Sequence, residues 1–233
     1  MFRNKEAIVC DMDGTLIDSI GLWNDVDTEL ISSFGKIPHQ NVGIERTKFL
    51  SENTGGDIYA DYCKFLIDTY GIEGISPQDL STLRSEFSKD FHEHHMDFKP
   101  GADEFLLRAK EKGYKLFLAS STSKWVIDIY NNKNKKMMSK LLMRDVFDGI
   151  LTREDVSHKK PNPEVYLRTI ELSGKEKHRV IAIEDELVGV KAAISAGIDV
   201  ISMYDKYADT DRDYIDALAT YSVKDYYPLI KRL

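Results

Sequence analysis

A chain of 233 residues, 42% hydrophobic and 30% charged, with a mean hydropathy of -0.37, is long enough to bury a core and is neither low-complexity, fibrous nor disordered. Its 32 basic and 39 acidic residues leave a net charge of -7 and a pI near 5.4, which excludes a general attraction to nucleic acid or to an anionic membrane. An anionic substrate therefore has to be drawn in by a local feature.

In chain order, the first element is a short β-rich run from Ala7 to Cys10, preceded by Met1 to Glu6 with no apolar signal segment. Cys10, one of two cysteines with Cys63, lies inside that run and reads as a buried thiol in a reducing, cytoplasmic setting rather than as half of a disulfide. From Ser19 to Phe98 no strand is apparent. Leu22, Val26 and Leu30 recur at i+4, with Ile31 and Phe34 extending the stripe to Gly35. Ile58, Tyr62, Phe65 and Leu66 form a second stripe closed by Gly71, and Leu80, Leu83 and Phe87 a third after Ser76-Pro77. These stripes predict amphipathic helices of a small helical insert.

Lys99-Pro100-Gly101 turns the chain back, and Phe105, Leu106 and Ala109 predict a helix stopped by Gly113. Further β-rich runs follow at Lys115 to Ala119, Gly149 to Thr152, Val180 to Ile183 and Asp199 to Met203. Strands alternating with helices imply an α/β fold whose parallel sheet is covered on both faces. The expected organisation is an α/β core over 1–18 and 99–233 with a helical domain over 19–98. Nowhere do eighteen apolar residues follow one another, so no bilayer span is expected. Asn131 to Lys136 is a basic patch that reads as a solvated loop or fraying helix end. His92, His94 and His95 have no Cys or His partner at metal-site spacing and read as surface or hinge packing; Trp125, Val126 and Ile129 read as helix core.

The chemistry-bearing residues sit at strand ends. Asp11 and Asp13 share a face if the first strand continues, and they project at the carboxyl edge where open α/β sheets place ligands. Two carboxylates held together repel unless a divalent cation or a shared proton relieves them, and hard oxygen ligands suit Mg²⁺. Gly14 lets the backbone turn. A calcium loop begins the same way but needs Glu at its twelfth position, which here is Leu22. The second strand ends in Ser120-Ser121-Thr122, hydroxyls able to bond phosphate oxygens. Lys159-Lys160-Pro161-Asn162-Pro163 then presents a lysine on a proline-fixed backbone, and Val180 to Ile183 runs into Glu184-Asp185, followed by Gly189 and Ala192-Ala193. Four such endings converging on one edge are hard to reconcile with four separate helix caps.

This ordered set resembles the haloacid-dehalogenase superfamily of hydrolases, in the subfamily with a helical cap inserted after the first motif, as in β-phosphoglucomutases and phosphoglycolate phosphatases. The match rests on Asp11-x-Asp13-Gly14-Thr15, Ser120, Lys160-Pro161-x-Pro163 and Glu184-Asp185 with the downstream Gly189, and it spans essentially the whole chain. The resemblance implies a Rossmann-like parallel core with an all-helical cap. It implies Asp11 as the nucleophile that forms an aspartyl-phosphate, and Asp13 as the acid and base. It implies Mg²⁺ held by Asp11, the Asp13 carbonyl and Asp185, with Glu184 a direct or water-mediated ligand, while Ser120 and Lys160 steady the phosphoryl charge.

Departures narrow the reading. True dehalogenases lack the second Asp, so Asp13 argues against carbon–halogen cleavage. β-Phosphoglucomutases carry a cap-side histidine where this chain has Trp23, which argues against a mutase and leaves Trp23 as cap packing or pocket wall. Glu186 stands where many relatives carry a small residue. The segment Ser51 to Asp57, with Gly55 and Gly56, is expected to be the cap loop that reaches the substrate, with Gly14 and Ser121 on the core side. The expectation is a cytoplasmic, Mg²⁺-dependent phosphatase of a small phosphorylated metabolite, a sugar phosphate among the candidates. A monomer is expected, with a dimer left open, and neither nucleic acid nor membrane as partner. The alternatives are a sugar phosphomutase and a non-catalytic relative that binds a phosphorylated ligand.

Overall fold

Runs of four or five apolar residues with no polar face are stable where both faces of a sheet are covered. In the computed structural model, which describes residues 1–53 and 58–233, the five expected runs form strands: β1 (Ala7–Cys10), β2 (Lys115–Ala119), β3 (Gly149–Leu151), β4 (Val180–Glu184) and β5 (Asp199–Met203). A sixth, β6 (Tyr221–Val223), lies beyond the expected set; Tyr221 and Ser222 are exposed, so it lacks the continuous apolar run by which the others are read. The sheet order is β3-β2-β1-β4-β5-β6 and every pairing is parallel.

The helices are α1 (Leu22–Ser33), α2 (Val42–Glu52), α3 (Ile58–Tyr70), α4 (Pro77–His94), α5 (Ala102–Glu111), α6 (Lys124–Asn132), α7 (Lys135–Met138), α8 (Met143–Val146), α9 (Glu164–Ser173), α10 (Leu187–Ala196), α11 (Arg212–Leu218) and α12 (Tyr227–Ile230). No helix among the described residues is long and apolar enough to cross a membrane. The chain divides into two compact units, one of residues 1–19 and 96–233, the other of residues 20–95.

In the first unit all of β1 is inaccessible to solvent. Ala7 and Val9 share one sheet face with Phe117 and Ala182, covered by Val165, Tyr166 and Ile170 of α9 and Val190, Ala193 and Ala196 of α10. Elsewhere in this unit Phe105 of α5 meets Tyr226, the residue just before α12, with ring centroids 5.2 Å apart. The basic patch is more ordered than expected. Asn134 caps α7 by accepting the Met137 N–H (3.0 Å) and donates to the Met96 carbonyl (3.0 Å), and Asn131 is buried as well. A short polar stretch can hide such caps because Asn satisfies backbone groups that water would otherwise serve. Val126 and Ile129 are buried, while Trp125 is half-buried.

Among the described residues of the second unit the secondary structure is helical, with no strand. The expected stripe of α1 is buried, and Leu30, Ile31, Tyr62, Cys63, Leu66 and Leu80 form its core. Ser76 accepts the Asp79 N–H (3.1 Å) with Pro77 at the first helical position, which fixes the start of α4. Beneath the stripes lies a buried ion pair: Asp27 accepts from Arg84 Nε (2.6 Å) and Nη2 (3.2 Å) and from the Tyr62 hydroxyl (2.9 Å), with Arg46 Nη1 3.8 Å away. The Arg84 guanidinium lies 4.3 Å from the Trp23 ring and 5.1 Å from the Tyr62 ring. His92 is buried in α4, whereas His94 and His95 are exposed near Asp90.

Candidate active site

The register of the sheet assembles the site. Cys10 pairs with Leu118 on one side and Ile183 on the other, so one residue further the chain presents Asp11 level with Glu184, and Asp185 follows. The Asp11 N–H donates to the Ile183 carbonyl (2.9 Å). The strand itself stops at Cys10, so Asp13 does not share an extended strand face with Asp11 as the spacing suggests. It stands on the following turn, where Gly14 adopts φ +78° and donates to the Ile17 carbonyl (2.8 Å). Only glycine takes that conformation without strain.

Carboxylate oxygens of Asp11, Glu184 and Asp185 lie within 4.8 Å of one another, and all three residues are buried. Lys160 enters the same space with its side chain 6% exposed. Its Nζ donates to Asp11 Oδ1 (2.6 Å), Glu184 Oε1 (2.6 Å) and the Ala119 carbonyl (2.9 Å), which uses all three ammonium protons. Tyr166 donates its hydroxyl to Glu184 Oε1, and its ring lies 5.3 Å from Lys160 Nζ. Asp185 accepts the Thr15 hydroxyl (2.8 Å). The two oxygens of Asp13 accept from Ser19 and Thr122, one hydroxyl each.

Burial pushes the Asp11 carboxyl well above the usual range, Lys160 draws it back, and Glu184 pushes it up again. Asp185 is raised by burial first and then by Asp11 and Glu184. For Lys160 burial opposes the charge, but Asp11 and Glu184 outweigh it and hold the amine protonated. One ammonium group among three buried carboxylates leaves the set short of positive charge, and its donors are all hard oxygens. That donor set fits Mg²⁺. Burial also pushes the Cys10 thiol up, which marks it as inert.

Two supports hold this arrangement. Glu164, at the start of α9, accepts the N–H groups of Ser157 and His158 (both 2.9 Å) and pairs with Arg168 (2.8 Å), which ties down the loop that carries Lys160. The Ser157 N–H leads the interactions that bring its carboxyl down to about 2. Gly189, in the first turn of α10, leaves room for the Glu184 carboxylate: a Cβ there would lie 2.2 Å from its carbon and both oxygens.

A pocket of about 160 Å³ opens on the cluster, lined by Asp11, Asp13, Ser121, Lys159, Lys160, Glu184, Asp185, Glu186, Val188 and Gly189. At about 30 Å³ per water it holds a phosphoryl group and little more. Of the residues expected from sequence, the structure brings together Asp11, Asp13, Ser121, Lys160, Glu184 and Asp185 around this pocket, with Gly14 on the adjoining turn. Ser120 is buried just beneath, its hydroxyl accepting the Thr122 N–H (3.0 Å). Trp23 belongs to the helical unit, under Arg84. Gly55 and Gly56 lie outside the described residues. Sequence reading passed over Ser19 and Tyr166, and it took Thr122 as a partner of phosphate where the structure has it donate to Asp13. Ser19 is a hydroxyl flanking a motif already singled out, and Tyr166 follows Lys160 by six residues at the place where α9 turns inward.

The sequence profile of the haloacid dehalogenase-like hydrolases matches residues 8–203. A phosphorylated carbohydrates phosphatase of Thermotoga maritima is 28% identical over 196 residues, covering 84% of this chain and 83% of that protein. Hexitol phosphatase B of Escherichia coli K12 is 26% identical over 217 residues, covering 91% and 90%. Among solved structures, one from Thermotoga maritima with the provisional designation beta-phosphoglucomutase superposes with a TM-score of 0.79 at 25% identity, over 98% of this chain and 99% of that one.

Proposed function

The chain belongs to the haloacid dehalogenase-like hydrolases, and from that membership we propose that it is a cytoplasmic, Mg²⁺-dependent phosphatase of a small phosphorylated metabolite of the sugar or sugar-alcohol kind. The observation that carries the reading is the convergence of Asp11, Lys160, Glu184 and Asp185 at one strand edge, with Asp13 held beside them by two hydroxyls. The names of the phosphatases it resembles support the substrate class.

Asp11 is the nucleophile. Lys160 fixes its Oδ1, and the carboxylate attacks phosphorus to form an aspartyl-phosphate while the bond to the leaving oxygen breaks. Asp13 delivers the proton that oxygen needs, then takes one from the water that hydrolyses the intermediate. Ser19 and Thr122 aim its carboxyl for both transfers. Lys160, with Ser120 and Ser121 on the neighbouring strand end, steadies charge on the phosphoryl oxygens. Asp11, the Asp13 carbonyl and Asp185, with Glu184 directly or through a water, would hold Mg²⁺, which would supply the positive charge that this acidic pocket lacks. To the helical unit, residues 20–95, we assign a part in the selection among substrates.

Phosphate release measured with Mg²⁺ and with EDTA, across sugar phosphates, sugar-alcohol phosphates, nucleotides, phosphoglycolate and an aryl phosphate, tests the proposal. Metal-dependent release is expected. Silence across the panel refutes it and favours either isomerisation, read as conversion of one sugar phosphate to another, or simple ligand binding.

A further inference from the structure

Glu186 occupies the N-cap of α10 but makes no side-chain cap bond, so this position forgoes the stabilisation that Ser, Thr, Asp or Asn supplies there. Its side chain instead lines the active-site pocket. Among the described residues the Glu186 carboxylate has no hydrogen-bond or ion-pair partner, although Lys159 lines the same pocket. Glu186 and Val188 are exposed, Val188 by 41%, whereas Asp11, Glu184 and Asp185 are buried. The buried acids therefore mark the floor of the pocket, and Glu186 and Val188 its mouth. Because the pocket has room for a phosphoryl group and little more, the leaving group of a phosphate ester meets these two side chains.

We propose that Glu186 is a specificity-determining residue that selects phosphate esters with an uncharged polyol leaving group and rejects those carrying a second acidic group. The inference rests on the phosphatase reading above and names its substrate class. A carboxylate with free lone pairs accepts hydrogen bonds from hydroxyls, and the exposed Val188 offers apolar surface to the C–H faces of the same carbon chain. A second carboxylate or phosphate meets the opposite environment. Five carboxylates and two ammonium groups line the pocket, so it stays net negative even with one divalent cation bound. The substrate's own phosphate then adds to that charge, and a further anion beside Glu186 is repelled.

Glycerol 3-phosphate and 3-phosphoglycerate form a matched pair of probes, the same three-carbon skeleton ending in a hydroxymethyl or a carboxylate. The wild type is expected to prefer glycerol 3-phosphate in kcat/KM. Glu186→Gln keeps the shape and removes the charge, and it is expected to shrink that preference about tenfold, mainly through the KM for 3-phosphoglycerate. Lys159→Met is expected to widen it. The same ratio is read from dissociation constants measured by calorimetry with Mg²⁺ present, which needs no turnover. Absence of phosphate release from both probes and from the wider panel counts against the phosphatase reading. A preference that Glu186→Gln leaves unmoved in both kinetics and binding overturns the role of Glu186.

Discussion

Replacing Gly189 with alanine sets two effects against each other. Gly189 lies in the first turn of α10 and has no left-handed backbone, so by helix propensity alone alanine gains about 1 kcal/mol. The added Cβ, however, falls 2.2 Å from the Glu184 carboxyl carbon and both its oxygens, far inside contact distance. Glu184 cannot swing aside freely, because Lys160 and Tyr166 both donate to its Oε1. Overpacking of this kind costs about 1–3 kcal/mol, and weakening of a charge-assisted hydrogen bond adds about 1.5–3 kcal/mol. The net expectation is a loss of about 3 kcal/mol, or roughly 6–12 °C in Tm for a chain of this size. Thermal unfolding followed by circular dichroism reads the first quantity, and phosphate release the second, since a displaced Glu184 no longer aims Lys160 at Asp11. Combining the change with Glu184→Asp, whose shorter side chain clears the new methyl, is expected to recover part of the stability. A Tm equal to or above that of the wild type, with full activity, would refute the reasoning and mean that helix propensity decides at this position.

Asp11→Asn is expected to lower phosphate release by on the order of 10⁴ or more, with an unchanged circular dichroism spectrum and no loss of Tm, because it removes one of three repelling carboxylates. In EDTA, Asp11 and Asp185 have folded-state pKa values above their unfolded ones, so the folded protein binds more protons and stability falls as pH rises. The unfolding midpoint should therefore climb as pH is lowered from alkaline to mildly acid, and Mg²⁺ should flatten that slope; a slope of the opposite sign contradicts the electrostatics of the cluster. In the helical unit, Arg84→Met leaves the fully buried Asp27 with the more distant Arg46 as its counter-charge among the described residues, an expected loss of about 3 kcal/mol. Adding Asp27→Asn should restore most of it, and denaturant unfolding of the single and double variants compares the two.

The sheet and its acidic edge were legible because their signals are local. Continuous apolar runs ending in Asp11, Ser120 and Glu184 need both faces covered, and acids at such ends need a reason. β6 was not legible: three residues at an edge, two of them exposed, carry no periodicity. The extent of the Asp11 and Asp13 pairing was misjudged for a related reason, since nothing in the residues marks where a strand hands over to a turn except Gly14 two positions later. The ion pair of the helical unit escaped because Asp27 and Arg84 each sit among helical polar residues, and only the meeting of α1 with α4 shows that they are buried. Lys160 was read as a partner of phosphate. That it is already bound to Asp11, Glu184 and a carbonyl follows from β2, β1 and β4 lying side by side, a long-range fact that spacing does not carry.

The placement of β1 also governs the order in which the enzyme can be built. Ile8 pairs with Leu116 on one side and Ile181 on the other, so both its neighbours lie more than a hundred residues down the chain. During synthesis the segment bearing Asp11 has no sheet partner until β2 emerges, and the carboxylate cluster does not exist until β4 docks. Closing so long a loop is entropically slow, yet the cost grows only with the logarithm of the loop, and a helical insert with a core of its own contracts that loop before the strands meet. The mutual repulsion of Asp11, Glu184 and Asp185 is thus deferred until β4 takes its place beside β1. The acidic pocket therefore forms only once β4 is in place, and a chain that ends before β4 lacks it.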